Sequence, residues 1–437
     1  MVRQKVSDER LLKRGGKMDI MQDLEFRELV YQVTDEKELR DRLNAGPITL
    51  YIGFDPTADS LHVGSLLPII ALRRFQMAGH SPIALVGGGT GLIGDPSGKT
   101  SERGLNPKEL VEEWSGKIRK QLGRFLDFDS KTNPARMDNN YRWLGNLEVI
   151  EFLRDIGKYF PIGYMLSKES VKARLETGIT YTEFSYMILQ SYDFLKLNEF
   201  YNCELQAGGS DQWGNITAGI DLIRRVANRK AYGITFPLVT KSDGTKFGKT
   251  EAGTIWLDSD KTSPYEFFQF WINTDDRDVI KFIKYFTFLS REQIIDLEEQ
   301  VKNDPGKREA QRVLAREVTQ LVHGREALNR AEKISQALFY GNLRDLTEEE
   351  IEEGFRDVPS MTVQENEISL VDLLVSSGLS SSRRQAREDI RNRAVYINDE
   401  LSDDTDRVLV HADRLWGGKY TIIRRGKKKY FLVKWLV

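Results

Sequence analysis

The sequence predicts an α/β protein made of consecutive domains, and three observations support this prediction. Short β-rich runs alternate with helical patterns up to about residue 240, which is typical of a doubly wound parallel sheet. A helical pattern then covers most of the next hundred residues, and the last part mixes helix and strand patterns with many basic residues. The predicted parts are an N-terminal extension (1–20), a doubly wound domain (21–245), a helical domain (246–340), a linker (341–367) and a small α+β domain (368–437).

The elements of the doubly wound part follow from hydrophobic periodicity and turn residues. Predicted helices cover 19–44, 107–125, 147–159, 165–176, 181–197 and 211–226, and one more begins at His62. Predicted strands cover 48–54, 82–86, 203–207 and 234–240. Asn106 is expected to be the N-cap of the helix that begins with Pro107.

The later parts carry signals of their own. Ser290 and Gln293 have the spacing of a capping box, and Asp304 with Pro305 is expected to open a long amphipathic helix. The acidic stretch that follows is predicted to be a linker with one short helix. The last domain carries basic clusters at Arg383, Arg384, Arg387, Arg391, Arg393 and 424–429. These clusters favour a partner with a phosphate backbone, and a solvated charged face is the alternative.

Composition limits the classes of function. The net charge is −2, so any nucleic-acid site must be a local patch. Cys203 is the only cysteine and the four histidines are scattered, which excludes disulfides within the chain and disfavours a Cys- or His-based metal centre. No apolar run approaches the about 18 residues of a membrane span, and 1–17 lack the apolar core of a secretory signal. A cytoplasmic protein is therefore expected.

The stretch 51–65 has the pattern of a strand, a loop and the start of a helix. A strand that runs into a helix N-terminus leaves free backbone N–H groups and the positive end of the helix dipole, which suit phosphate. Gly64 would let a ribose or a flat ring approach the backbone, and His62 would donate to a phosphate oxygen as charge develops. The alternative is an ordinary β–α corner, which a lone His-x-Gly usually is.

A glycine-rich loop follows the second predicted strand. Gly89 to Gly94 match the G-x-G-x-x-G spacing of a dinucleotide site, but Pro96 and Gly98 would stop the helix that such a site requires. A Walker phosphate loop is excluded because Ile93 stands where it needs glycine. What remains is a loop with Asp95, Lys99 and Arg103, whose cations either reach phosphate or are simply solvated.

Three further patterns have both a functional and a plain interpretation. Tyr186, Gln190 and Asp193 share one helix face, which either lines a pocket or faces water. Lys246-Phe-Gly-Lys-Thr250 is either a mobile loop that places two ammonium groups on polyphosphate or an exposed hairpin. Asp211, at a strand-to-helix turn, either binds ribose hydroxyls or serves as an N-cap.

The order and separation of these patterns resemble the class I aminoacyl-tRNA synthetases, and within them the bacterial tyrosyl-tRNA synthetase family. Residues 56–65 resemble the HIGH motif and 246–250 the KMSKS motif of that family. The stretches that match the tyrosine enzymes are 51–57, 94–99, 181–186 and 208–215. The last domain resembles an RNA-binding module shared with a small-subunit ribosomal protein. Two departures are Ser65, where the HIGH motif has a second histidine, and the loose Lys-Phe-Gly-Lys-Thr form of KMSKS.

The resemblance implies a Rossmann-like catalytic domain, a KMSKS loop with a helical anticodon-binding domain, and a small RNA-binding domain. It implies a ligase that activates L-tyrosine with ATP to tyrosyl-adenylate and transfers tyrosyl to the terminal adenosine of tRNA(Tyr). Mg²⁺ would accompany ATP, no tightly bound cofactor is expected, and the protein would be a homodimer without membrane contact.

The resemblance also implies roles for individual residues. For tyrosine these are Tyr51 and Asp193 at the phenol, Asp95, Tyr186 and Gln190 at the ammonium, and Asn140 and Gln212 near the carboxylate. For ATP they are Gly53, Asp55, His62, Gly64, Ser65, Gly209, Asp211 and Lys249. The expected catalytic groups at the phosphates are His62, Thr57, Lys99, Arg103, Lys246, Lys249 and Thr250.

Two other functions remain open at this point. An NAD-dependent oxidoreductase would depend on the glycines at 89–94. A non-catalytic RNA-binding protein derived from a synthetase is the second alternative, and the presence of His62, Lys246 and Lys249 argues against it.

Overall fold

A computed structural model describes residues 19–99, 101, 104–245, 247–250, 253–341, 343–356, 358–426 and 429–436, with the side chains of Thr250 and Tyr340 left out. Most of the predicted N-terminal extension therefore lies outside the described residues. The chain divides into two compact units: Met1–Lys261 with Thr274–Leu314, and Thr262–Asn273 with Ala315–Val437. The finer domain limits remain predictions. Within the described ranges, no helix is both long enough and apolar enough to span a bilayer.

The bounds of the regular elements follow in chain order. The helices are α1 (Ile20–Phe26), α2 (Glu36–Ala45), α3 (Leu66–Met77), α4 (Lys108–Leu122), α5 (Tyr141–Leu144), α6 (Val149–Asp155), α7 (Ile162–Leu166), α8 (Glu169–Leu175), α9 (Tyr181–Tyr201), α10 (Trp213–Ala227), α11 (Pro264–Ile272), α12 (Asp276–Phe286), α13 (Arg291–Asn303), α14 (Glu309–His323), α15 (Arg325–Tyr340), α16 (Glu348–Gly354), α17 (Leu370–Ser376) and α18 (Arg383–Arg391). The strands are β1 (Gln32–Val33), β2 (Thr49–Phe54), β3 (Ser81–Val86), β4 (Arg136–Asn139), β5 (Cys203–Gly209), β6 (Tyr232–Phe236), β7 (Lys249–Thr250), β8 (Gly253–Thr254), β9 (Ser360–Val363), β10 (Ile368–Ser369), β11 (Val395–Ile397), β12 (Glu400–Leu401), β13 (Val408–Leu409), β14 (Tyr420–Arg425) and β15 (Lys429–Trp435).

The first unit is built on a six-stranded sheet in the order β1-β6-β5-β2-β3-β4. Strands β2 to β6 are parallel and β1 is antiparallel to β6. The chain passes from β2 outwards to β3 and β4, then returns to place β5 on the other side of β2. The predicted doubly wound sheet is thus confirmed, and its topological switch point lies between β2 and β5, where open α/β sheets bind their ligands.

The first unit differs from the sequence-based prediction in several elements. The single helix expected over 19–44 is divided, because Glu28 and Asp35 adopt left-handed backbone angles and β1 pairs with the edge of β6 between them. Strand β4 is short and polar, so periodicity did not indicate it. The strand predicted to reach residue 240 ends at Phe236, since Pro237 has no N–H to donate to a ladder.

Helix starts were predicted with mixed success. The capping box of Ser290 and Gln293 is confirmed at α13. Asn106 is not the N-cap of α4, because Pro107 has a ψ of 147° and itself occupies that position. The expected long helix does not start at Asp304 and Pro305, which instead lead into a 3₁₀ turn over Pro305–Lys307. Arg308 then adopts a left-handed φ of 50°, and α14 begins after it.

The second unit contains a five-stranded sheet in the order β12-β11-β14-β15-β9 and two apolar clusters. The stretch predicted as a linker contains its expected short helix, α16, but it is not a loose connection. Its apolar residues are buried with side chains of α15, β14 and β15, and β9 pairs parallel with β15. These buried residues are Leu343, Leu346, Ile351 and Phe355. Because the stretch is so acidic, sequence analysis did not identify these four residues as core positions.

Candidate active site

A cavity of about 490 Å³ opens at the carboxyl ends of β2, β3, β5 and β6, at the switch point of the sheet. Most of the residues predicted for the site line it. They are Tyr51, Gly53, Asp55, Thr57, His62, Gly64, Ser65, Asp95, Lys99, Asn140, Tyr186, Gln190, Asp193, Gly209, Asp211 and Gln212. The corner at 51–65 and the helix face of α9 therefore meet, and the water-facing interpretation of that face is wrong.

The structure describes only part of residues 246–250, which we call the lysine loop. Arg103 and Lys246 lie outside the described residues, and so does the side chain of Thr250. Lys249 is exposed and does not line the cavity, but its positive charge reaches His62 and contributes to lowering the pKa of that imidazole.

One end of the cavity is formed by Tyr51 of β2 and Asp193 of α9. Asp193 is buried; Trp143 Nε1 donates to its Oδ1 at 2.7 Å and Asn140 Nδ2 donates to its Oδ2 at 2.9 Å. Burial raises the pKa of this carboxyl to about 8. The Tyr51 hydroxyl is also buried and has no hydrogen-bond partner among the described residues. Burial and then the charge of Asp193 raise its pKa well above the usual value. This end offers unsatisfied hydrogen-bonding capacity to a polar ligand group.

Asn140 differs from its implied place near a substrate carboxylate. It follows β4 directly, its Oδ1 accepts from the backbone N of Gly89 at 2.7 Å, and its Nδ2 donates to both Thr90 and Asp193 at 2.9 Å. The amide thus uses its hydrogen-bonding groups on protein atoms. This geometry favours a role in orienting Asp193.

A second group of polar side chains surrounds the middle of the cavity. Tyr186 Oη donates to Asp55 Oδ2 at 2.7 Å, and Gln212 Nε2 donates to Asp95 Oδ2 at 2.7 Å. Gln190 Nε2 donates to Gln212 Oε1 at 3.2 Å. Burial, followed by the charges of Asp55 and Asp95, raises the pKa of the Tyr186 phenol well above its usual range. Carboxylates at short range from one another create a negative potential that suits an ammonium ligand.

His62 stands at the start of the turn that leads into α3. Its Nδ1 accepts a hydrogen bond from the backbone N of Gly64 at 3.0 Å. Burial, then the charges of Lys99 and Lys249, lower the pKa of the imidazole. The ring is therefore neutral at pH 7, and because Nδ1 is an acceptor, Nε2 carries the proton. His62 thus presents an N–H donor where the sequence predicted one for phosphate.

Asp211 lies in the 3₁₀ turn over Ser210–Gln212 that connects β5 to α10. Burial, then the charge of Asp95, raises the pKa of its carboxyl, and Lys99 acts in the opposite direction. A Cβ atom on Gly209 would lie 2.5 Å from Asp211 Oδ1, so the backbone passes this carboxylate as closely as only glycine permits.

The cavity also contains groups that sequence reasoning missed. Gln206 lies on β5, is buried, and its Oε1 has no hydrogen-bond partner among the described residues. A polar residue between Leu205 and Ala207 in an apolar strand was the available signal. Thr90 donates to Asp55 Oδ1 at 2.7 Å, and Trp143, which lies behind the cavity wall, donates to Asp193. Neither of these two had a distinguishing sequence pattern.

The glycine-rich segment does not form the turn of a dinucleotide site. Thr90–Leu92 make a 3₁₀ turn and no α-helix begins at the glycines. The oxidoreductase alternative thus loses the helix N-terminus on which a pyrophosphate would rest.

Comparisons with known proteins place the chain in a family. The family model described as "tRNA synthetases class I (W and Y)" matches residues 43–340, and "Tyrosine--tRNA ligase SYY-like C-terminal domain" matches 350–433. The chain is 62% identical to a tyrosine–tRNA ligase of Bacillus caldotenax over 419 residues, covering 96% of this chain and 100% of the relative. It is 63% identical to that of Desulfitobacterium hafniense (strain Y51) over 420 residues, covering 95% and 100%. A C-terminally truncated Aspergillus nidulans mitochondrial tyrosyl-tRNA synthetase superposes with a TM-score of 0.68 at 31% identity, over 76% of this chain and 97% of that one.

Proposed function

Since the chain belongs to the class I tRNA synthetases of the tryptophan and tyrosine group, we infer that it is a tyrosine–tRNA ligase. It activates L-tyrosine with ATP, forming tyrosyl-adenylate and pyrophosphate, and transfers the tyrosyl group to the terminal adenosine of tRNA(Tyr). The observation that carries tyrosine as the substrate is the buried pair of Tyr51 and Asp193 at one end of the cavity. These groups suit a phenol hydroxyl, which both donates and accepts a hydrogen bond.

We propose that Asn140 and Trp143 hold Asp193 in place for the phenol. A site built to hydrogen-bond a hydroxyl rejects the analogue that lacks it, since its buried polar groups are then left unpaired. For tyrosine enzymes of this family the rejection of phenylalanine is known to reach several orders of magnitude. Tyr186, Gln190 and Asp95 are proposed to bind the ammonium group, with Asp55 behind Tyr186.

The activation step requires positioning and charge stabilisation more than covalent help from the protein. The tyrosine carboxylate oxygen forms a bond to the α-phosphorus while the bond to pyrophosphate breaks. His62 is proposed to donate from Nε2 to a phosphate oxygen, and Lys99 and Lys249 to bind the departing pyrophosphate. Such contacts accelerate the reaction when they strengthen in the transition state.

The remaining roles stay proposals of the same kind. Thr57 and Ser65 line the cavity and are proposed to lie near the phosphates and the nucleotide, and Gly209 and Asp211 near the ribose. Mg²⁺ is proposed to be held mainly by the phosphates of ATP, because the described residues contain no cluster of three or more His, Cys, Asp or Glu side chains placed to bind a metal.

We also propose a homodimer in the cytoplasm. The described part of the first unit exposes several large apolar side chains close together in the sequence, and exposed apolar patches are typical of protein interfaces. These residues are Val149, Ile150, Leu153, Ile162, Leu166, Leu175 and Tyr181.

Tyrosine-dependent exchange of pyrophosphate into ATP tests the proposed function. We expect exchange with tyrosine and none above background with phenylalanine. Lys249→Ala is expected to lower the exchange rate by about 100-fold while leaving the tyrosine dissociation constant unchanged, because the contact is made in the transition state. Lys37→Ala, which removes an exposed lysine of α2, is the control. Exchange that does not depend on tyrosine would contradict the function, and equal losses in binding and rate would contradict the role of Lys249.

A further inference from the structure

Residues 255–257, which follow the lysine loop, run antiparallel to residues 61–63. The backbone N of Val63 donates to the Ile255 carbonyl at 3.0 Å, and the backbone N of Leu257 donates to the Leu61 carbonyl at 2.8 Å. These bonds place His62 opposite Trp256 in an antiparallel bridge. Residues 61–63 and 255–257, which are distant in sequence, are therefore paired in a fixed register.

Side-chain contacts also connect these two segments. The Trp256 and His62 rings meet edge to face, with centroids 6.3 Å apart and planes at 72°. Lys261 Nζ lies 5.1 Å from the centroid of the Trp256 ring and 2.7 Å from Asp59 Oδ1. The hydrogen bond from Lys261 lowers the pKa of the Asp59 carboxyl. We call this set, comprising Asp59, 61–63, 255–257 and Lys261, the clasp.

The clasp is directly connected to the lysine loop. The backbone N of Ile255 donates to the Gly248 carbonyl at 3.0 Å, so residue 255 closes the base of the hairpin formed by β7 and β8. A Cβ atom on Gly248 would lie 2.6 Å from Val63 Cγ2, which shows how closely the loop approaches the His62 turn. The position of Lys249 therefore depends on where the clasp holds 255–257.

We propose that Trp256 and the Asp59–Lys261 pair are positioning residues for the activation step, which hold His62 and Lys249 in register over the phosphates of ATP. The inference rests on the proposed function. Preorganised donors lose much of their effect when they are displaced by about 1 Å, so a clasp of this kind acts on rate rather than on substrate affinity. Since Asp59 and Lys261 are each about one-third exposed, the pair contributes little to the free energy of unfolding. Its removal should leave the fold intact.

The test compares Trp256→Ala and Lys261→Met with the wild type in pyrophosphate exchange. We expect each to lower kcat by about tenfold with the KM for tyrosine nearly unchanged, and Lys261→Met to keep the wild-type melting temperature. Trp256→Phe keeps an aromatic edge against His62 and should recover most of the rate. The double variant Asp59→Lys with Lys261→Asp restores the ion pair in reverse and should recover part of the loss seen in Lys261→Met.

Lys117→Met is the matched control. Its ammonium group also lies beside Asp59, at 3.9 Å, but it makes its shorter ion pair with Glu113 at 2.8 Å. This variant should retain the wild-type rate. A wild-type kcat in Lys261→Met and Trp256→Ala, an equal effect of Lys117→Met, or a loss of tyrosine affinity in parallel with kcat would each overturn the clasp. Absence of tyrosine-dependent exchange in the wild type would instead overturn the proposed function.

Discussion

Asp193, which we propose to bind the phenol of the substrate, also carries a cost in stability. Its carboxyl is buried and its pKa is raised to about 8, although Asn140 and Trp143 both donate to it. Burial opposes the charged form more strongly than two hydrogen bonds favour it. In the folded chain the group therefore keeps its proton to a much higher pH than it does in the unfolded chain.

The sign of the pH effect follows from this difference. Between the unfolded pKa of about 4 and the folded pKa of about 8, the folded state binds a proton that the unfolded state has released. The free energy of unfolding therefore falls as pH rises through this window. In Asp193→Asn the side chain cannot ionise, so we expect a smaller loss of stability between about pH 5 and about pH 8 than in the wild type. Urea unfolding midpoints at the two pH values measure this.

Asp41→Asn is the control for that experiment, because it removes an exposed carboxylate of α2. It should leave the wild-type pH dependence in place. Equal slopes for Asp193→Asn and the wild type would show that Asp193 is ionised in the folded protein at pH 7.

At the scale of elements, the loop between β6 and β7 is anchored by an aromatic residue. Phe247 stacks on Phe286 with centroids 5.4 Å apart and planes at 8°, and meets Phe282 edge to face at 5.0 Å. Both partners belong to the buried face of α12. The departure from the KMSKS pattern at this position is thus a packing contact, which places the backbone immediately before Lys249.

Phe247→Ala should release this anchor. We expect the rate of tyrosyl-adenylate formation to fall by about tenfold, because the loop must then be ordered at each turnover, while tyrosine binding is unchanged. Phe247→Leu retains an apolar contact and should have an intermediate rate. Single-turnover measurements give both quantities. An unchanged rate in Phe247→Ala would show that α12 does not position the loop.

Helices and strands were predictable from sequence where their signals lie within a few residues of one another. The face of α9 that carries Tyr186, Gln190 and Asp193 follows from helical spacing, and α13 follows from its capping box. The division of 19–44 was not predictable, because β1 forms only by pairing with the edge of β6. The burial of Leu343 and Phe355 likewise depends on strands that come later in the chain.

For the whole molecule, the basic face of the second unit is the surface where we expect contact with tRNA. Helix α18 buries Ala386 and Ile390 and exposes Arg384, Arg387 and Arg391, which share a face at helical spacing. Deleting 369–437 would be an unsuitable test, since it would expose apolar residues of α15 and α16. Substitution of the three arginines by glutamine leaves that core intact.

We expect this triple variant to charge tRNA(Tyr) at least about tenfold less efficiently at physiological salt, because phosphate contacts are lost, and to retain wild-type pyrophosphate exchange. Aminoacylation and exchange assays at two salt concentrations separate the effects. The control replaces three exposed cations of the first unit, Lys37, Arg124 and Lys131, by glutamine. Equal charging by both triple variants would show that the face on α18 is not an RNA contact.

The sequence by itself determined the doubly wound sheet, the order of the motifs and most of the residues that line the cavity. These features depend on periodicity, on turn chemistry and on side-chain types at fixed spacing, all of which act over a few residues. Only the tertiary structure decided that Asn140 binds Asp193, that the amide oxygen of Gln206 has no hydrogen-bond partner among the described residues, and that Lys261 pairs with Asp59. Each of these features depends on segments that are distant along the chain and meet only in the folded protein, which no local pattern encodes.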